Sequence, residues 1–231
     1  MNRAPWEQYA GRLEVIPFDA RALLAPVTPS KIVALAANYE GATGREEGDV
    51  EPLVFIKPPS AVAGPNDLIR CPFPDIKVWG ESELAIVVGK PLTKATPGEA
   101  RYAILGYTLA NDVTAENVYG RDHHLARSKA VDTFCPVGPW IETDFVPGDQ
   151  VLQGWHNDTL LRESRLSRRV MKEIDMLVWL STWLTLEPGD VVLTGAPPRV
   201  RERLFLHDGD TYACQLQGLG TLKNTFRLAA P

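Results

Sequence analysis

Apolar residues occur along this chain mostly in short runs bounded by Gly, Pro and charged residues. Runs rich in Val, Ile and Leu predict strands at 31–37, 53–57, 81–88, 104–111, 190–194 and 211–216. Apolar residues at helical spacing predict helices at 97–103, at 114–126 and, at greater length, from 163 to 184. Many short strands with few helices predict a β-rich α+β fold rather than a doubly wound sheet.

Length and composition indicate a chain that can bury a full core. It has 231 residues, of which 45% are apolar, enough for one substantial domain. We expect residues 1–30 to form a lead-in segment and residues 31–231 to form a single domain. Residues 38–51 are long and polar for a connector between two strands, and such loops are often lids over a binding site.

The charge and the cysteines exclude several classes of protein. A net charge of −5 without a basic block argues against nucleic-acid binding. Because the chain has neither an apolar run of about 18 residues nor the apolar segment of a signal peptide, we expect no membrane span and no secretion. Cys71, Cys135 and Cys214 are odd in number and far apart, which predicts free thiols in a cytoplasmic protein.

The most informative feature is a pair of glutamates, Glu81 and Glu83, at the start of a predicted strand. Alternate residues of a strand share a face, so both carboxylates point the same way, roughly 7 Å apart. Two such charges on a half-buried strand repel each other, and a cation between them relieves the repulsion. Asp112, at the end of the strand predicted at 104–111, is either a third carboxylate of this group or the N-cap of a following helix. Three oxygen ligands would suit Mg²⁺, Mn²⁺ or Ca²⁺ rather than Zn²⁺.

Other residues with catalytic chemistry are less clearly placed by the sequence. Lys129 is either an ordinary surface lysine or an active-site group. His123 and His124 are adjacent, so on a helix they face different directions and make a poor acid–base pair. The sequence contains no nucleophile elbow, P-loop or dinucleotide-binding fingerprint.

Several phrases, taken in order, resemble characteristic segments of the fumarylacetoacetate hydrolase superfamily. They lie at 38–39, 55–58, 81–90, 106–114, 129 with 132–140, 186–195 and 218–224. The resemblance implies a mixed β-sandwich roll with peripheral helices, a homodimer, and a divalent metal ion, Mg²⁺ or Mn²⁺. Carried over residue by residue, it implies that Glu81, Glu83 and Asp112 are metal ligands and that Lys129 is the active-site lysine.

The same resemblance suggests which residues contact the substrate. Thr194 and Gly195 begin the superfamily's Thr-Gly-x-Pro phrase, and we predict that they bind substrate. Arg162 and Arg45 are candidates for binding a distal carboxylate of the substrate, since guanidinium groups pair with carboxylates through two hydrogen bonds.

One departure from the superfamily bears on the reaction. Hydrolytic members carry a His and a Glu after the Asn-Tyr phrase, where they activate water, but here Ala42 and Arg45 occupy those places. Several stretches most resemble the isomerase/decarboxylase branch, which acts on 2-oxo-hexene- or heptadiene-dioates in homoprotocatechuate breakdown. We therefore expect a metal-dependent decarboxylase or isomerase of a small 2-oxo dioate in aromatic catabolism, since an enolate forms without an activated water.

Two alternatives stay open. A metal-dependent hydrolase of acylpyruvate-type β-diketones would need a substitute base, such as Glu46, Glu47 or His123. A catalytically inactive partner subunit would gain nothing from three clustered carboxylates, which destabilise a fold when they have no task.

We predict that the loop at 38–51 orders over bound substrate. Exchange of its backbone amides with deuterium should slow when a 2-oxo acid analogue is added, because a closed loop protects its hydrogen bonds. Equal exchange rates with and without the analogue would contradict this prediction.

Overall fold

The computed structural model describes residue 19 and residues 22–42 and 51–229. Short helices accompany a fold built mostly of strands: α1 (Pro97–Ala103), α2 (Ala126–Lys129) and α3 (Glu173–Ser181). The strands of these ranges are β1 (Ile32–Ala36), β2 (Leu53–Lys57), β3 (Val62–Ala63), β4 (Leu68–Cys71), β5 (Val78–Trp79), β6 (Ser82–Val88), β7 (Ile104–Asn111), β8 (Thr114–Ala115), β9 (Cys135–Glu142), β10 (Val151–His156), β11 (Thr159–Arg165), β12 (Val191–Leu193), β13 (Thr211–Leu216) and β14 (Gly220–Leu228).

Two mixed sheets form the body of the fold. The larger sheet has the strand order β2-β1-β12-β6-β7-β9-β3, and the smaller one has the order β11-β10-β13-β14-β4. Strand β13 contacts β6 and β7, and β14 contacts β9, so the sheets pack face to face. The pair β5-β8 forms a separate two-stranded ribbon. This architecture confirms the predicted β-rich α+β fold and the sandwich-like roll.

Strand β6 lies at the centre of the larger sheet and is buried on both faces. On one face, Leu84 and Ile86 join the main core, which contains side chains from both sheets. On the other face, Ala85 and Val87 join a second cluster with residues of β1 and β12. Because alternate residues share a face, Glu83 extends the line of Ala85 and Val87 to the end of the strand. The apolar run that predicted the strand therefore also fixes the direction of this carboxylate.

The strand predictions agree well with the structure. The predicted bounds of β2, β7, α1 and β13 are those observed, and β1, β6 and β12 are each slightly shorter than predicted. Cys71, Cys135 and Cys214 are buried free thiols, as expected. In the described part of the chain no helix is long and apolar enough to cross a membrane.

Two of the predicted helices are wrong. Residues 163–184 divide into the end of β11, a 3₁₀ turn and the short helix α3. The first part pairs with β10 as a hairpin through the turn at Asn157, and this strand pairing overrides the helical spacing of the apolar residues. Residues 114–126 begin instead with β8, which pairs with β5, and helix α2 starts only at Ala126.

Two further predictions fall outside the described residues. Residues 43–50, which include Arg45, Glu46 and Glu47, are not among them, so the proposed lid stays a prediction. The same holds for most of the lead-in segment, although Val27 packs into the second core cluster beside β1.

Tyr212 of β13 joins the smaller sheet to the start of β6. Its buried ring lies against Gly80, where an added Cβ atom would approach the ring to 2.6 Å. A Cβ atom at Gly154 of β10 would come within 2.5 Å of the Tyr212 hydroxyl oxygen. The hydroxyl also lies 3.4 Å from the Oγ atom of Ser82. Both glycines therefore leave the space that this ring fills.

Gly80→Ala should destabilise the fold by about 1–3 kcal/mol, the usual cost of overpacking a tight core. Gly98→Ala in helix α1 is the matched control, because a Cβ atom there meets nothing within 4 Å. Urea unfolding of both variants measures the difference, with the control expected to match or exceed the wild type. A Gly80→Ala protein as stable as the control would show that Tyr212 is not held as described.

Candidate active site

The pairing of β6 with β7 brings the predicted carboxylates together. The strands are antiparallel with Glu83 opposite Ala110, so the start of β6 meets the end of β7. The backbone N–H of Asp112 donates to the carbonyl oxygen of Glu81 at 2.8 Å, and the Asn111 side chain accepts from the N–H of Glu81 at 2.9 Å. Glu81, Glu83 and Asp112 consequently line one cavity of about 190 Å³. That volume suits a small metabolite rather than a drug-sized ligand.

Lys129 reaches this group from the short helix α2. The Asp122 carboxylate accepts a hydrogen bond from the Ser128 N–H at 2.5 Å, which fixes the start of the helix. The Lys129 ammonium contacts the carboxylate of Asp112 and lies 3.1 Å from Glu81. The lysine that the sequence left ambiguous is therefore buried among the carboxylates rather than at the surface.

The surroundings of Lys129 keep it charged. Burial alone would lower its pKa, but the charges of Asp112 and then Glu81 outweigh burial and raise the pKa above its ordinary value. Its Nζ atom also donates to the Thr114 hydroxyl at 2.6 Å and lies 4.6 Å from the centre of the Phe55 ring. At neutral pH, Lys129 is thus a hydrogen-bond donor and a positive charge, not a base.

Two more cations contact the carboxylates. Lys57, at the end of β2, is fully buried, and its Nζ atom lies 2.5 Å from the Asp112 carboxylate and 3.2 Å from the Val113 carbonyl oxygen. Arg162 of β11 donates to Glu81 at 2.5 Å and to the Pro197 carbonyl oxygen at 2.7 Å. Both cations are held by more than one acceptor, so each fixes the carboxylate that it touches.

The two glutamates of the pair sit in different electrostatic environments. Burial raises the pKa of Glu81, but the charges of Lys129 and Arg162 outweigh it and hold the pKa at about 2. Burial and the negative charges of Asp112 and Glu81 raise the pKa of Glu83 well above its ordinary range. Glu83 accepts a hydrogen bond from the backbone N–H of Gly195 at 2.5 Å. Its charge is therefore the least compensated of the three.

The predicted substrate-binding residues lie beside this cavity in different ways. Arg162 lines it. Thr194 is buried, and its hydroxyl donates to the Leu84 carbonyl oxygen at 2.9 Å, while Gly195 orients Glu83. Arg45 lies outside the described residues. A role in binding substrate stays a prediction for all four.

The structure also places residues at the site that sequence reasoning did not select. They are Lys57, whose polar side chain ends an alternating strand, and Arg199 and Arg203, which line the cavity from the segment after β12. The alternation of β2 could have identified Lys57 as a buried lysine, because it falls on the same face as buried Phe55. The two arginines follow a stretch without periodicity, so no pattern marked them. His123 and His124 are exposed and do not line the cavity.

The carboxylates have the donor chemistry of a site for a hard divalent cation. All three are oxygen donors on one cavity wall, and burial together with the charges of Asp112 and Glu81 raises the pKa of Glu83, an unfavourable situation that a bound cation would relieve. Among the described residues, no group of three or more His, Cys, Asp or Glu side chains is arranged so that it could hold a metal ion. The three carboxylates suit Mg²⁺ or Mn²⁺ by the chemistry of their oxygen donors, while the Lys129 ammonium contacts Asp112 and lies 3.1 Å from Glu81.

Comparison with known proteins identifies the family of this chain. The family described as fumarylacetoacetate (FAA) hydrolase C-terminal matches residues 31–227. The chain thus belongs to the fumarylacetoacetate hydrolase family, in which the similar proteins include isomerases, hydrolases and oxaloacetate tautomerases.

Three similar proteins illustrate that range. The crystal structure of 5-carboxymethyl-2-hydroxymuconate delta-isomerase from Mycobacterium smegmatis is 38% identical, with a TM-score of 0.83 over 90% of this chain and 83% of that one. A mitochondrial oxaloacetate tautomerase of Bos taurus is 37% identical over 93% of this chain and 72% of its own length. Maleylpyruvate hydrolase from Sphingobium sp. SYK-6, solved with manganese(II) and pyruvate, is 30% identical, with a TM-score of 0.74 over 90% of this chain and 74% of that one.

The opposite environments of the two glutamates predict opposite effects of removing their charges. Glu83→Gln should raise the melting temperature of the metal-free protein at pH 7 by roughly 2–4 °C, the shift that about 1 kcal/mol gives in a chain of this size. The reason is that an amide, unlike the Glu83 carboxyl, is not destabilised by burial and by the charges of Asp112 and Glu81, while its oxygen still accepts from Gly195. Glu81→Gln should lower the melting temperature, because the contacts with Lys129 and Arg162 lose their charge.

The pH dependence of the stability is the control for these two variants. Since the folded pKa of Glu81 lies below the ordinary value, its charge stabilises the fold above about pH 4.5, and this stabilisation is lost as the pH falls toward 2. Glu83 has a folded pKa above the ordinary value, so it favours folding at low pH and opposes it once ionised. Calorimetry in EDTA should show the two variants shifting in opposite directions at pH 7; shifts of the same sign would refute the assignment.

Proposed function

We propose that this protein is a divalent-metal-dependent isomerase or decarboxylase of a small 2-oxo dicarboxylic acid. The common step is the formation of an enolate, either by loss of CO₂, which needs no base, or by transfer of a proton made acidic by the neighbouring carbonyl to a solvent water. With Mg²⁺ or Mn²⁺ bound, the metal would supply Lewis-acid chemistry, which polarises a carbonyl and stabilises negative charge on its oxygen. The names of the similar tautomerase and isomerase support this class of reaction.

The observation that carries the proposal is the place of Ala42. This residue lines the cavity with the three carboxylates, where the resemblance to hydrolases calls for a histidine. Among the described residues that line the cavity there is no histidine. The three carboxylates of the cavity are the proposed metal ligands. Enolate formation needs no activated water, whereas hydroxide attack on a ketone needs a base beside the water, worth about 10²–10⁴ in rate.

The residues of the chain have defined roles in this proposal. Lys129 would donate a hydrogen bond to the oxygen on which charge develops. Gly195 and Arg162 hold the carboxylates of Glu83 and Glu81 in place. The cations around the cavity favour a substrate with two negative charges over a neutral one.

A hydrolase of acylpyruvate-type β-diketones is the second candidate. The similarity to a maleylpyruvate hydrolase, solved with manganese(II) and pyruvate, favours it. It would require a base from the loop that carries Glu46 and Glu47, which are near the missing pair in sequence.

The test is the metal dependence and the product profile of the purified protein. After removal of metal with EDTA, Mg²⁺ or Mn²⁺ should restore tautomerisation or decarboxylation of oxaloacetate or of a 2-oxo-hexenedioate. Glu83→Ala should lower this activity roughly 100-fold or more, since even outer-shell partners of a metal are worth about 10–100-fold. Glu202→Ala, which removes an exposed carboxylate, is the control and should keep wild-type activity.

Acylpyruvate is the competing substrate in the same assay. If it is cleaved to pyruvate and a carboxylate faster than either dioate reacts, the hydrolase is the correct function. Full activity in excess EDTA would reject the metal in both candidates.

A further inference from the structure

Arg203 places a positive charge on the cavity wall without forming a salt bridge to any of the described residues. The segment after β12 covers the carboxylate cavity and contributes Ala196, Pro198, Arg199 and Arg203 to its lining. Backbone contacts with β11 hold this segment, since the Val200 N–H donates to the Leu161 carbonyl oxygen at 2.9 Å. Arg203 therefore belongs to a wall that is tied to the smaller sheet.

The guanidinium of Arg203 is positioned by an aromatic ring. Its Cζ atom lies 3.9 Å from the centre of the Trp79 ring, and Trp79 precedes Glu81 by only two residues. The edge of Phe205 packs on Trp79, with the ring centres 6.2 Å apart, which steadies the stack. Stacking fixes the plane of a guanidinium while leaving its N–H donors free for a carboxylate.

Arg203 differs in this respect from Arg162 on the same wall. Arg162 is already bonded to Glu81 and to the Pro197 carbonyl oxygen. Among the described residues, no carboxylate lies within salt-bridge distance of Arg203, and its buried Nε donor has no hydrogen-bond partner. A guanidinium without a carboxylate partner can pair with a bound anion through its terminal N–H groups.

The electrostatics favour an anion at the same place. Partial burial lowers the pKa of Arg203 and the nearby positive charge of Arg199 lowers it further, while the more weakly acting charges of Glu81 and Glu116 oppose this shift. Two arginines that repel each other on one wall gain from a shared negative charge. A carboxylate suits them, because its two oxygens match the paired N–H groups of a guanidinium.

We propose that Arg203, assisted by Arg199 at the exposed rim, binds the distal carboxylate of the substrate and selects dicarboxylates over monocarboxylates. This inference rests on the proposed function, which places the 2-oxo acid end of the substrate near Glu81, Glu83 and Asp112. It gives the specificity role to Arg203, while Arg162 acts mainly by positioning Glu81.

The test is calorimetric titration of the full-length protein in Mg²⁺ with two probes of equal chain length. 2-Oxoglutarate has a distal carboxylate, and 2-oxopentanoate has a methyl group in its place. Wild type should bind 2-oxoglutarate roughly 10- to 100-fold more tightly, the usual value of a charge-assisted contact. Arg203→Gln should remove this difference by weakening 2-oxoglutarate alone.

Two further variants separate a specific contact from general charge. Arg201→Gln removes an exposed arginine two positions away that does not line the cavity, and it should keep the wild-type preference. Arg203→Lys should keep part of the preference, because an ammonium carries the charge but not the paired donors. Circular dichroism confirms that each variant is folded.

Oxalate, which has no distal group, separates a failure of the Arg203 assignment from a failure of the proposed function. If oxalate binds but wild type holds both five-carbon acids equally, or if Arg203→Gln keeps the preference, the assignment of Arg203 is wrong and the proposed function stands. If none of the three acids binds, both are wrong.

Discussion

Three carboxylates at the ends of two neighbouring strands repel one another, and the surrounding side chains balance that repulsion. The backbone hydrogen bond between Asp112 and Glu81 belongs to the central strand pair of the larger sheet, so these charges cannot separate without opening it. The compensating cations come from elements distant in sequence: Lys57 from β2, Lys129 from α2 and Arg162 from β11. The ion pairs therefore tie the outer parts of the fold to its centre.

Such a network contributes little to the stability of a fold. Buried ion pairs often contribute less stability than apolar residues of the same size, because both charges lose their hydration. Here the network has another effect, which is to keep Lys129 protonated while leaving Glu83 undercompensated. A site with a fixed donor and an unsatisfied carboxylate is prepared for a cation and for a substrate whose oxygen becomes negative. The balance of charges thus connects the packing of the strands to the chemistry we propose.

The sequence predicted the strands and the carboxylates because both depend on local patterns. The run from Ser82 to Val88 specifies a buried strand, and its alternation directs Glu83 to one face. The helix expected at 163–184 is wrong because its first residues, Glu163 to Arg165, pair with β10 as the end of β11. Arg203 could not be found this way, since its role depends on stacking against Trp79, more than a hundred residues earlier in the chain. Periodicity thus locates elements, while the partners of an irregular segment are settled only by the assembled fold.

The uneven distribution of charge has a kinetic consequence. The chain as a whole is acidic, with a net charge of −5, yet Arg199 and Arg203 add two positive charges to the wall of the cavity. A dianionic metabolite approaching from a distance meets a weakly repulsive molecule and is attracted only near the entrance. At physiological ionic strength, charges separated by more than about 8 Å are largely screened, so the attraction acts only over about this distance from the arginines. Encounter should then be governed by where a metabolite strikes the surface rather than by long-range steering.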